Sequence, residues 1–355
     1  MGIIFGGSKR IQGGNVFKTP TAEKNNYRCP ACGDELHGDP SGRGFVRHVS
    51  NPSCLFEKGE KDAPGTVGKA AQQSRPSGDP TTSIKAHLRK WADSNRIPID
   101  QAGYTLELRD NLFVDLSDAA RAEFAAGDGG ELGSPTARGK MQALHSSSAM
   151  ACNFFEYWRG RDCASLAIAL GVQDEVTRIQ FERKFPTGLP GNAPNMDVVL
   201  TTTEGPIVAI ESKFLEPYGR RHEPGFKTKY FERSPGCWAR HGLTHCQKVA
   251  ERLDSGDLVF RWLHAEQLLK HILGLASSGA QWELLYLWYQ PPGAVGTQHA
   301  AEADAFAETV NQDAIRFRSM TYQELLAGLT DTASVEGDYL AYLRSRYFSE
   351  EGDSV

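Results

Sequence analysis

The sequence predicts a mixed α/β fold, with helices flanking both faces of a central mixed sheet. Residues 177–185 alternate polar and apolar side chains, and 195–202 and 206–214 are two further strand-like runs joined by a short turn. A predicted helix at 265–277 follows them, and an apolar strand at 281–289 comes next. Together with a helix before the first strand, this order is typical of a mixed sheet enclosed by helices.

Two elements are predicted well before this core. Residues 83–94 are expected to form an amphipathic helix, because Ile84 and Leu88 recur with other large side chains at helical spacing. Residues 104–108 and 112–116 are each strand-like and are separated by a short polar segment. We therefore predict that these two segments pair as a hairpin.

The helix before the first core strand is predicted at 140–158, where Leu144, Cys152 and Phe155 lie down one side. Residues after 290 continue the alternation of helix and strand. The remaining predicted elements are a helix at 298–311, a strand at 314–319 and a helix at 334–347.

Composition excludes membrane-spanning and secreted proteins. The chain has 355 residues, of which 40% are hydrophobic and 23% charged, as in globular proteins with a sizeable core. No run approaches the roughly 18–20 apolar residues that cross a bilayer. Residues 1–10 lack the apolar segment and cleavage site of a secretory signal. We therefore expect a cytoplasmic protein without a membrane partner.

Two acidic residues and a lysine fall on one face of two neighbouring predicted strands. Alternate side chains of strand 206–214 share a face, so Glu211 and Lys213 are neighbours there. The turn at 203–205 lets the preceding strand run antiparallel, which brings Asp197 close to Glu211. Burying carboxylates on an apolar sheet costs free energy unless their negative charge is compensated. A divalent cation provides this compensation, and oxygen ligands favour Mg²⁺ or Mn²⁺.

This arrangement suits the hydrolysis of phosphodiesters. The cation would polarise the scissile phosphate and lower the pKa of the attacking water. Lys213 would orient that water or stabilise the developing negative charge. The predicted catalytic residues are therefore Asp197, Glu211 and Lys213, and the two acids are the predicted ligands of the cation.

The spacing of the candidate residues resembles a known signature. Asp197 is followed by thirteen residues and then by Glu211-Ser212-Lys213, which resembles the Asp…Glu-x-Lys signature of the PD-(D/E)XK nuclease superfamily. The fold of that superfamily is restriction-endonuclease-like. The Pro-Asp pair of that signature is replaced here by Asn195-Met196-Asp197, with Pro194 upstream. The flanking blocks are His145-Ser146-Ser147-Ser148, Asn153-Phe154-Phe155, Phe181-Glu182 and Phe214-Leu215-Glu216-Pro217-Tyr218. With these blocks, the segment from about 140 to 290 is similar to the PGN_0703-type group of restriction-endonuclease-like proteins, which are mostly bacterial.

The resemblance implies a nuclease in which Asp197 and Glu211 bind metal and Lys213 assists. A third acid often completes such sites, with Glu182 as the first candidate and Glu156 as the second. Gln267 resembles the glutamine that some members of the superfamily place near the site. We take Gln267 and Asn153, which belongs to a flanking block, as candidate substrate-binding residues.

A basic stretch begins at the candidate site, although the whole chain carries a net charge of −5. Residues 213–252 contain nine Lys and Arg and four acidic residues, which gives this stretch a net charge of +5. A basic segment beside an acidic site suits an enzyme that acts on a polyanion. The expected partner is nucleic acid, DNA rather than RNA. The candidate contacts are Arg220, Arg221, Lys227 and Lys229.

A zinc-binding module is predicted near the N-terminus. Cys29 and Cys32 are separated by two residues, His48 follows after fifteen more, and five residues separate His48 from Cys54. A Cys3His set with these spacings suits tetrahedral Zn²⁺. About thirty residues cannot bury a core alone, so the metal would supply the folding energy. His37 is a rival to His48 as the fourth ligand, although it lies closer to Cys32 than the spacing favours. The module could contact phosphates, or it could be purely structural or protein-binding.

A second group of potential zinc ligands, Cys237, His241, His245 and Cys246, lies in the basic stretch. If the segment were one helix, the first three of these residues would share a face. A histidine-rich helix that faces phosphates explains the same pattern.

These observations divide the chain into four parts: a flexible N-terminus at 1–26, the zinc-finger-like module at 27–57, a linker at 58–82, and a nuclease-like domain at 83–355 with its core at about 140–330. The predicted function is a metal-dependent endonuclease that cuts DNA, in bacterial restriction or anti-phage defence. A double-strand cut would need two active sites, which favours a homodimer. Two alternatives remain: a repair or recombination nuclease acting on DNA ends or structures, and an inactive nucleic-acid-binding protein of the same fold.

Overall fold

The computed structural model describes residues 80–348, except 135, 220–224, 233–235 and 333, together with the backbone of 27–28, 35–38 and 45–48. The chain divides into two units, Met1–Arg75 and Pro76–Val355. The boundary between the units falls inside the segment 58–82 that the sequence predicts as a linker. The four domain limits themselves remain predictions.

The first unit contains a three-stranded antiparallel sheet in the order β1-β2-β3. Its strands are β1 (Tyr27–Arg28), β2 (Glu35–Gly38) and β3 (Phe45–His48). The predicted zinc ligands Cys29, Cys32 and Cys54 lie outside the described residues. His48 ends β3, and only its backbone is described.

The second unit contains nine helices and seven strands within residues 80–348 as far as they are described. The helices are α1 (Pro80–Ser94), α2 (Asp118–Ala126), α3 (Ser147–Phe155), α4 (Ala164–Leu170), α5 (Thr244–Ser255), α6 (Ala265–Ser277), α7 (Ala294–Val310), α8 (Tyr322–Thr330) and α9 (Gly337–Tyr347). The strands are β4 (Gly133–Ser134), β5 (Ala137–Arg138), β6 (Val176–Lys184), β7 (Asn195–Thr202), β8 (Ile207–Lys213), β9 (Trp282–Trp288) and β10 (Phe317–Thr321). Strands β4 and β5 form a small hairpin of their own.

The central sheet has five strands in the order β10-β9-β8-β7-β6. The β6, β7 and β8 strands form an antiparallel meander, whereas β8, β9 and β10 run parallel to one another. The crossover from β8 to β9 carries α5 and α6, and the crossover from β9 to β10 carries α7. The predicted mixed sheet flanked by helices is therefore confirmed.

The core on one face of the sheet is formed with α1, α2, α3, α4, α8 and α9. Val198, Ile210 and Leu285 point from the sheet into this core, where they meet helical side chains such as Phe154 and Leu325. Alternate sheet residues point to the opposite face, as the period of a strand requires. Full burial of each such side chain stabilises the fold by about 1.5–3 kcal/mol relative to its exposed state.

The opposite face packs against α5, α6 and α7. Val199, Ala209 and Leu284 point into this second core, together with Leu269 of α6 and Phe306 of α7. The Trp238 indole N–H, just before α5, donates to the Leu269 carbonyl at 2.8 Å. The α6 helix is therefore held on both sides, which fixes the side chains that it directs toward β8.

The regular elements of the predicted core match the structure closely. The predicted strands at 177–185, 195–202 and 206–214 correspond to β6, β7 and β8 within one residue at each end. The predicted helix at 265–277 is α6, with the same bounds. None of the helices in the described part of the chain is long and apolar enough to cross a membrane.

Two predictions of secondary structure are wrong: the hairpin at 104–116 and the start of the helix at 140–158. No hairpin joins 104–108 to 112–116, because Thr105 N donates to Gln142 O at 2.9 Å, and the side chain of Asn111 donates to Met141 O and Ala143 O. The predicted helix at 140–158 begins only at Ser147. Ser146 caps it by accepting a hydrogen bond from Ala149 N. The backbone before this cap bonds to the 103–105 segment instead.

Candidate active site

The sheet aligns three acidic residues across three adjacent strands. The β7–β8 register pairs Val198 with Ile210, so the next position along sets Asp197 opposite Glu211. The β6–β7 register pairs residues 181 with 198 and 183 with 196, which sets Glu182 opposite Asp197 on the other side. Asp197 therefore lies between the other two acids. We call Glu182, Asp197 and Glu211 the acidic row.

Glu211 is the most enclosed member of the acidic row, with 1% of its surface exposed. Its Oε1 atom accepts hydrogen bonds from Lys213 Nζ at 2.5 Å and from Gln267 Nε2 at 2.6 Å. His271 Nε2 lies 2.8 Å from the other oxygen, Oε2, at ion-pair distance but not aligned as a hydrogen bond. Burial alone would raise the pKa of Glu211, but Lys213 and His271 lower it to about 2. Glu211 is therefore ionised at neutral pH.

Asp197 has a different environment. Its Oδ2 atom accepts a hydrogen bond from the backbone N–H of Ser212 at 2.7 Å, so its carboxylate bridges β7 to β8 where the regular strand pairing stops. Burial raises the pKa of Asp197 well above its usual range, and the charges of Glu211 and Glu182 raise it further. Asp197 is thus a carboxylate whose ionised form is costly in this protein.

Ser212 points to the opposite face of the sheet from Glu211 and Lys213. Its hydroxyl hydrogen-bonds to the hydroxyl of Tyr322, the first residue of α8, at 2.7 Å. This contact anchors the end of β8 against the first core. The residues on either side of Ser212 are thereby held toward α6.

Lys213 keeps its proton in this environment. Burial lowers the pKa of a lysine, but Glu211 and Asp197 outweigh burial and raise the pKa of Lys213 above its usual range. About a tenth of the side chain remains exposed. Lys213 is consequently a fixed positive charge at the edge of the acidic row.

Glu182 is held in a strained backbone conformation. Its φ angle is +52°, in the left-handed region that costs a residue with a side chain about 1–3 kcal/mol. Asn195 Nδ2 donates to its Oε2 atom at 2.9 Å, and burial raises its pKa. Strain of this kind persists where the surroundings impose it, and it concentrates at functional sites.

The α6 helix supplies two residues on one face, Gln267 and His271, which are four positions apart. Gln267 is the predicted candidate and does reach Glu211. His271 was not identified from the sequence, although its helical spacing from Gln267 was visible there. His271 is 2% exposed, so its contact with Glu211 is enclosed by protein.

The chemistry of these residues fits a hard divalent cation. Three carboxylates share one region with a single lysine, and Glu211 Oε2 and Asn195 Oδ1 are buried oxygens without a hydrogen-bond partner. One buried and two half-buried carboxylates raise the energy of the folded protein unless their charge is compensated, and oxygen donors favour Mg²⁺ or Mn²⁺. In the described residues no three acidic, His or Cys side chains converge closely enough to hold a cation. Glu211 faces Lys213 and Gln267, whereas Asp197 faces the backbone of Ser212.

Comparison with known protein families decides the classification. The model of the family described as restriction endonuclease associating with ARP matches residues 85–348. The chain belongs to this family. The five-stranded mixed sheet flanked by helices is consistent with a restriction-endonuclease-like fold. No curated protein and no solved structure matches the chain.

The family match runs from α1 to the end of α9, so it includes the acidic row, α6 and the segment before α3. The predicted zinc-finger-like module at 27–57 lies outside it. The candidate site therefore belongs to the restriction-endonuclease-like part of the chain.

Two of the predicted site residues lie away from the acidic row in this restriction-endonuclease-like protein. Glu156, the second candidate for a third acid, forms an ion pair with Arg159 at 2.9 Å and accepts a hydrogen bond from Ser117 N. Asn153 is 1% exposed and bonds to Phe113 N and to the hydroxyl of Tyr347. Both residues have structural partners, and buried Asn153 offers no surface to a substrate.

The predicted basic contacts are only partly described, because Arg220 and Arg221 lie outside the described residues. Lys227 and Lys229 lie near Lys270 of α6, which the sequence did not single out. Burial lowers the pKa of Lys270, and the charges of Lys227 and Lys229 lower it further. Lys270 Nζ also lies 5.2 Å from the centre of the Phe226 ring. These three lysines form a basic patch on the α6 side of the site.

The second group of potential zinc ligands does not converge in the described residues. Helix α5 begins only at Thr244, so Cys237 and His241 are not on it. His245 Nδ1 lies 3.0 Å from Asp313, and Cys246 N donates to the same carboxylate. The thiol of Cys246 is buried in the second core. These residues serve packing and local hydrogen bonding.

Proposed function

We propose that the protein is a metal-dependent endonuclease that hydrolyses phosphodiester bonds in DNA, with Asp197, Glu211 and Lys213 at its catalytic centre. The acidic row, joined to one protonated lysine at the end of a sheet, is what supports this activity most strongly. Membership of a restriction-endonuclease family supports it independently.

The proposed ligands of the cation are Asp197 and Glu211, with Glu182 as the third acid. When bound, Mg²⁺ or Mn²⁺ would polarise the scissile phosphate and lower the pKa of the attacking water. Gln267 and His271 orient the Glu211 carboxylate through the contacts at 2.6 Å and 2.8 Å. A carboxylate held on both oxygens loses little freedom when it binds a ligand.

Lys213 acts in this proposal as a charge and not as a base. Its raised pKa keeps the ammonium protonated, so it cannot accept a proton from water at neutral pH. A positive charge in an enclosed site stabilises the negative charge that develops on the phosphate in the transition state. The basic patch of Lys227, Lys229 and Lys270, with Arg220 and Arg221, would hold the DNA backbone.

The biological role that we propose is bacterial restriction or anti-phage defence, in the cytoplasm. The family description supports restriction, and the resemblance to the mostly bacterial PGN_0703-type group supports a bacterial setting. A homodimer would supply the two active sites that a double-strand cut requires. Repair of DNA ends remains the alternative role for the same chemistry.

Metal-dependent cleavage is the first expected result. Purified protein should nick or linearise supercoiled plasmid with Mg²⁺ or Mn²⁺ and should leave it intact in EDTA. Asp197→Ala should abolish cleavage, because it removes the central acid of the row. Asp254→Ala, which removes an exposed carboxylate on α5, is the matched control and should cut normally.

Intact plasmid in every lane, together with metal-independent and salt-sensitive DNA binding, would instead identify an inactive DNA-binding protein. Degradation of linear DNA alone would favour the repair alternative. Cleavage by Asp197→Ala at the wild-type rate would contradict the assignment of the site.

We further propose that Cys29, Cys32, His48 and Cys54 bind one Zn²⁺ per chain. The spacing of these residues supports this, and such a short segment would depend on the metal for its folding. Metal analysis should find one zinc per wild-type chain and much less in Cys32→Ser. Cys163→Ser, a partly exposed thiol outside the module, should keep its zinc; equal zinc in all three proteins would contradict the assignment.

A further inference from the structure

A small pocket with a basic lining lies between α1 and the segment that leads into α3. The pocket is partly open to solvent, and its volume of about 20 Å³ is too small to enclose a nucleobase. Lys85, Arg89 and His145 line it, together with Leu88, Ala102, Gly103 and Leu144. No acidic residue of the described chain is part of this lining. We call it the α1 pocket.

The basic side chains of the α1 pocket act on one another. Burial lowers the pKa of His145, and the charges of Lys85 and Arg89 lower it further. Lys85 and Arg89 form no ion pair with any carboxylate of the described residues, although Glu216 acts on His145 from outside the lining. Unpaired cations that converge on a concave surface attract an anion.

The position of Arg89 is fixed by the backbone opposite. One terminal nitrogen, Nη2, donates to the Gln101 carbonyl at 2.7 Å, which uses only part of the donor capacity of the guanidinium. Gly103 has φ +85°, and a Cβ atom at that position would lie 3.1 Å from Nη2 of Arg89. The glycine thus admits the guanidinium to the pocket. The carbonyl of Gly103 also accepts a hydrogen bond from Leu144 N, which joins the segment around Gly103 to the segment that leads into α3.

The α1 pocket is linked to the acidic row through α3 and through Glu216. His145 directly precedes the cap of α3, and α3 packs on β7 and β8, the strands that carry Asp197 and Glu211. Glu216 acts electrostatically on both His145 and Lys213. An anion in the α1 pocket would therefore share a charged neighbour, Glu216, with the acidic row.

We propose that the α1 pocket binds one backbone phosphate of double-stranded DNA. This inference rests on the proposed nuclease function and adds a contact outside the catalytic centre. Arg89 holds the phosphate through its free N–H donors, and Lys85 contributes charge at the rim. Because the contact is to the backbone, it positions DNA without selecting sequence.

Binding measured without cleavage tests the proposal. Full-length Lys213→Ala protein serves as the background, and fluorescence anisotropy follows a 30-base-pair duplex over a range of salt concentrations. Adding Lys85→Ala or Arg89→Ala should weaken binding about tenfold at low salt. Each should also reduce the slope of log K against log salt by about 0.9.

Lys90→Ala is the matched control, because it removes one positive charge from the same helix outside the pocket lining. Arg89→Lys, which keeps the charge but loses the planar fork, should bind with intermediate affinity. Thermal melting of each variant checks that it is folded. Because Lys85 is exposed, its replacement should not disturb packing.

The possible outcomes distinguish failure of the pocket proposal from failure of the proposed nuclease function. If the Lys213→Ala background binds duplex and the pocket variants behave as Lys90→Ala does, the pocket proposal is wrong and the nuclease proposal stands. If the background binds no DNA, both are wrong. If inorganic phosphate stabilises wild type but not Arg89→Ala, while duplex affinity is unchanged, the pocket serves a small phosphorylated ligand and the DNA proposal is overturned.

Discussion

Lys213→Ala is expected to reduce the single-turnover rate of DNA cleavage at least ~100-fold, the scale found when one charge-stabilising group is removed from an active site. The physical reason is that Lys213 is a protonated ammonium beside Glu211, at 2.5 Å, in a largely enclosed position. No other lysine of the described chain contacts the acidic row in this way. Gel-based cleavage at saturating enzyme measures the effect without interference from binding.

Lys248→Ala is the matched control, since it removes an exposed lysine of α5. Its cleavage rate should equal that of the wild type. Lys213→Arg should recover only a small part of the lost rate, because a guanidinium cannot occupy the site of a compact ammonium. Wild-type cleavage by Lys213→Ala would show that the lysine serves only to neutralise Glu211.

Neutralising the two central acids should have opposite effects on stability, although both changes abolish cleavage. In EDTA at pH 7, Asp197→Asn should raise the melting temperature. The pKa of Asp197 is raised, so its ionised form destabilises the folded protein above the pKa of the unfolded chain. The asparagine oxygen can still accept the hydrogen bond from Ser212 N, while the half-buried charge is removed.

Glu211→Gln should lower the melting temperature under the same conditions. The pKa of Glu211 falls from 4.5 to about 2, so its charge stabilises the folded state above pH 4.5 and this contribution is lost as pH falls toward 2. The substitution leaves buried Lys213 without its nearest anion, at a cost on the order of 3–5 kcal/mol. Differential scanning calorimetry in EDTA measures both variants.

An exposed acid-to-amide change, Asp254→Asn, is the control for both variants and should leave the melting temperature unchanged. Equal destabilisation by Asp197→Asn and Glu211→Gln would contradict the electrostatic difference between the two acids. Added Mg²⁺ should stabilise the wild type more than either variant, because only the wild type keeps both proposed ligands.

The convergence of Asp197, Glu211 and Lys213 was predictable because strand periodicity is local. A period of two places Glu211 and Lys213 on one face, and a three-residue turn is enough to bring Asp197 back beside them. Gln267 could be named only through resemblance, since its contact with Glu211 spans 56 positions of the chain. His271 reaches the same carboxylate from one helical turn further on.

Secondary-structure predictions from local sequence pattern were wrong where the backbone forms its hydrogen bonds with distant residues. Residues 104–116 look like a hairpin, yet Asn111 is fully buried and bonds to the carbonyls of Met141 and Ala143. The sequence contains no sign of these partners thirty positions away. The predicted helix at 140–158 failed for the same reason, because its first turn bonds to Gly103 and Thr105.

By itself, the sequence determined the mixed sheet, the strand that carries Glu211 and Lys213, and the pairing of that strand with Asp197. Only the tertiary structure decided that Glu182 joins the row through a left-handed backbone, that Asn153 and Glu156 lie elsewhere, and that α6 brings His271 to Glu211. Side-chain alternation is set by neighbouring residues, whereas these contacts depend on how distant elements pack. The opposite electrostatic environments of Asp197 and Glu211 follow from that packing alone.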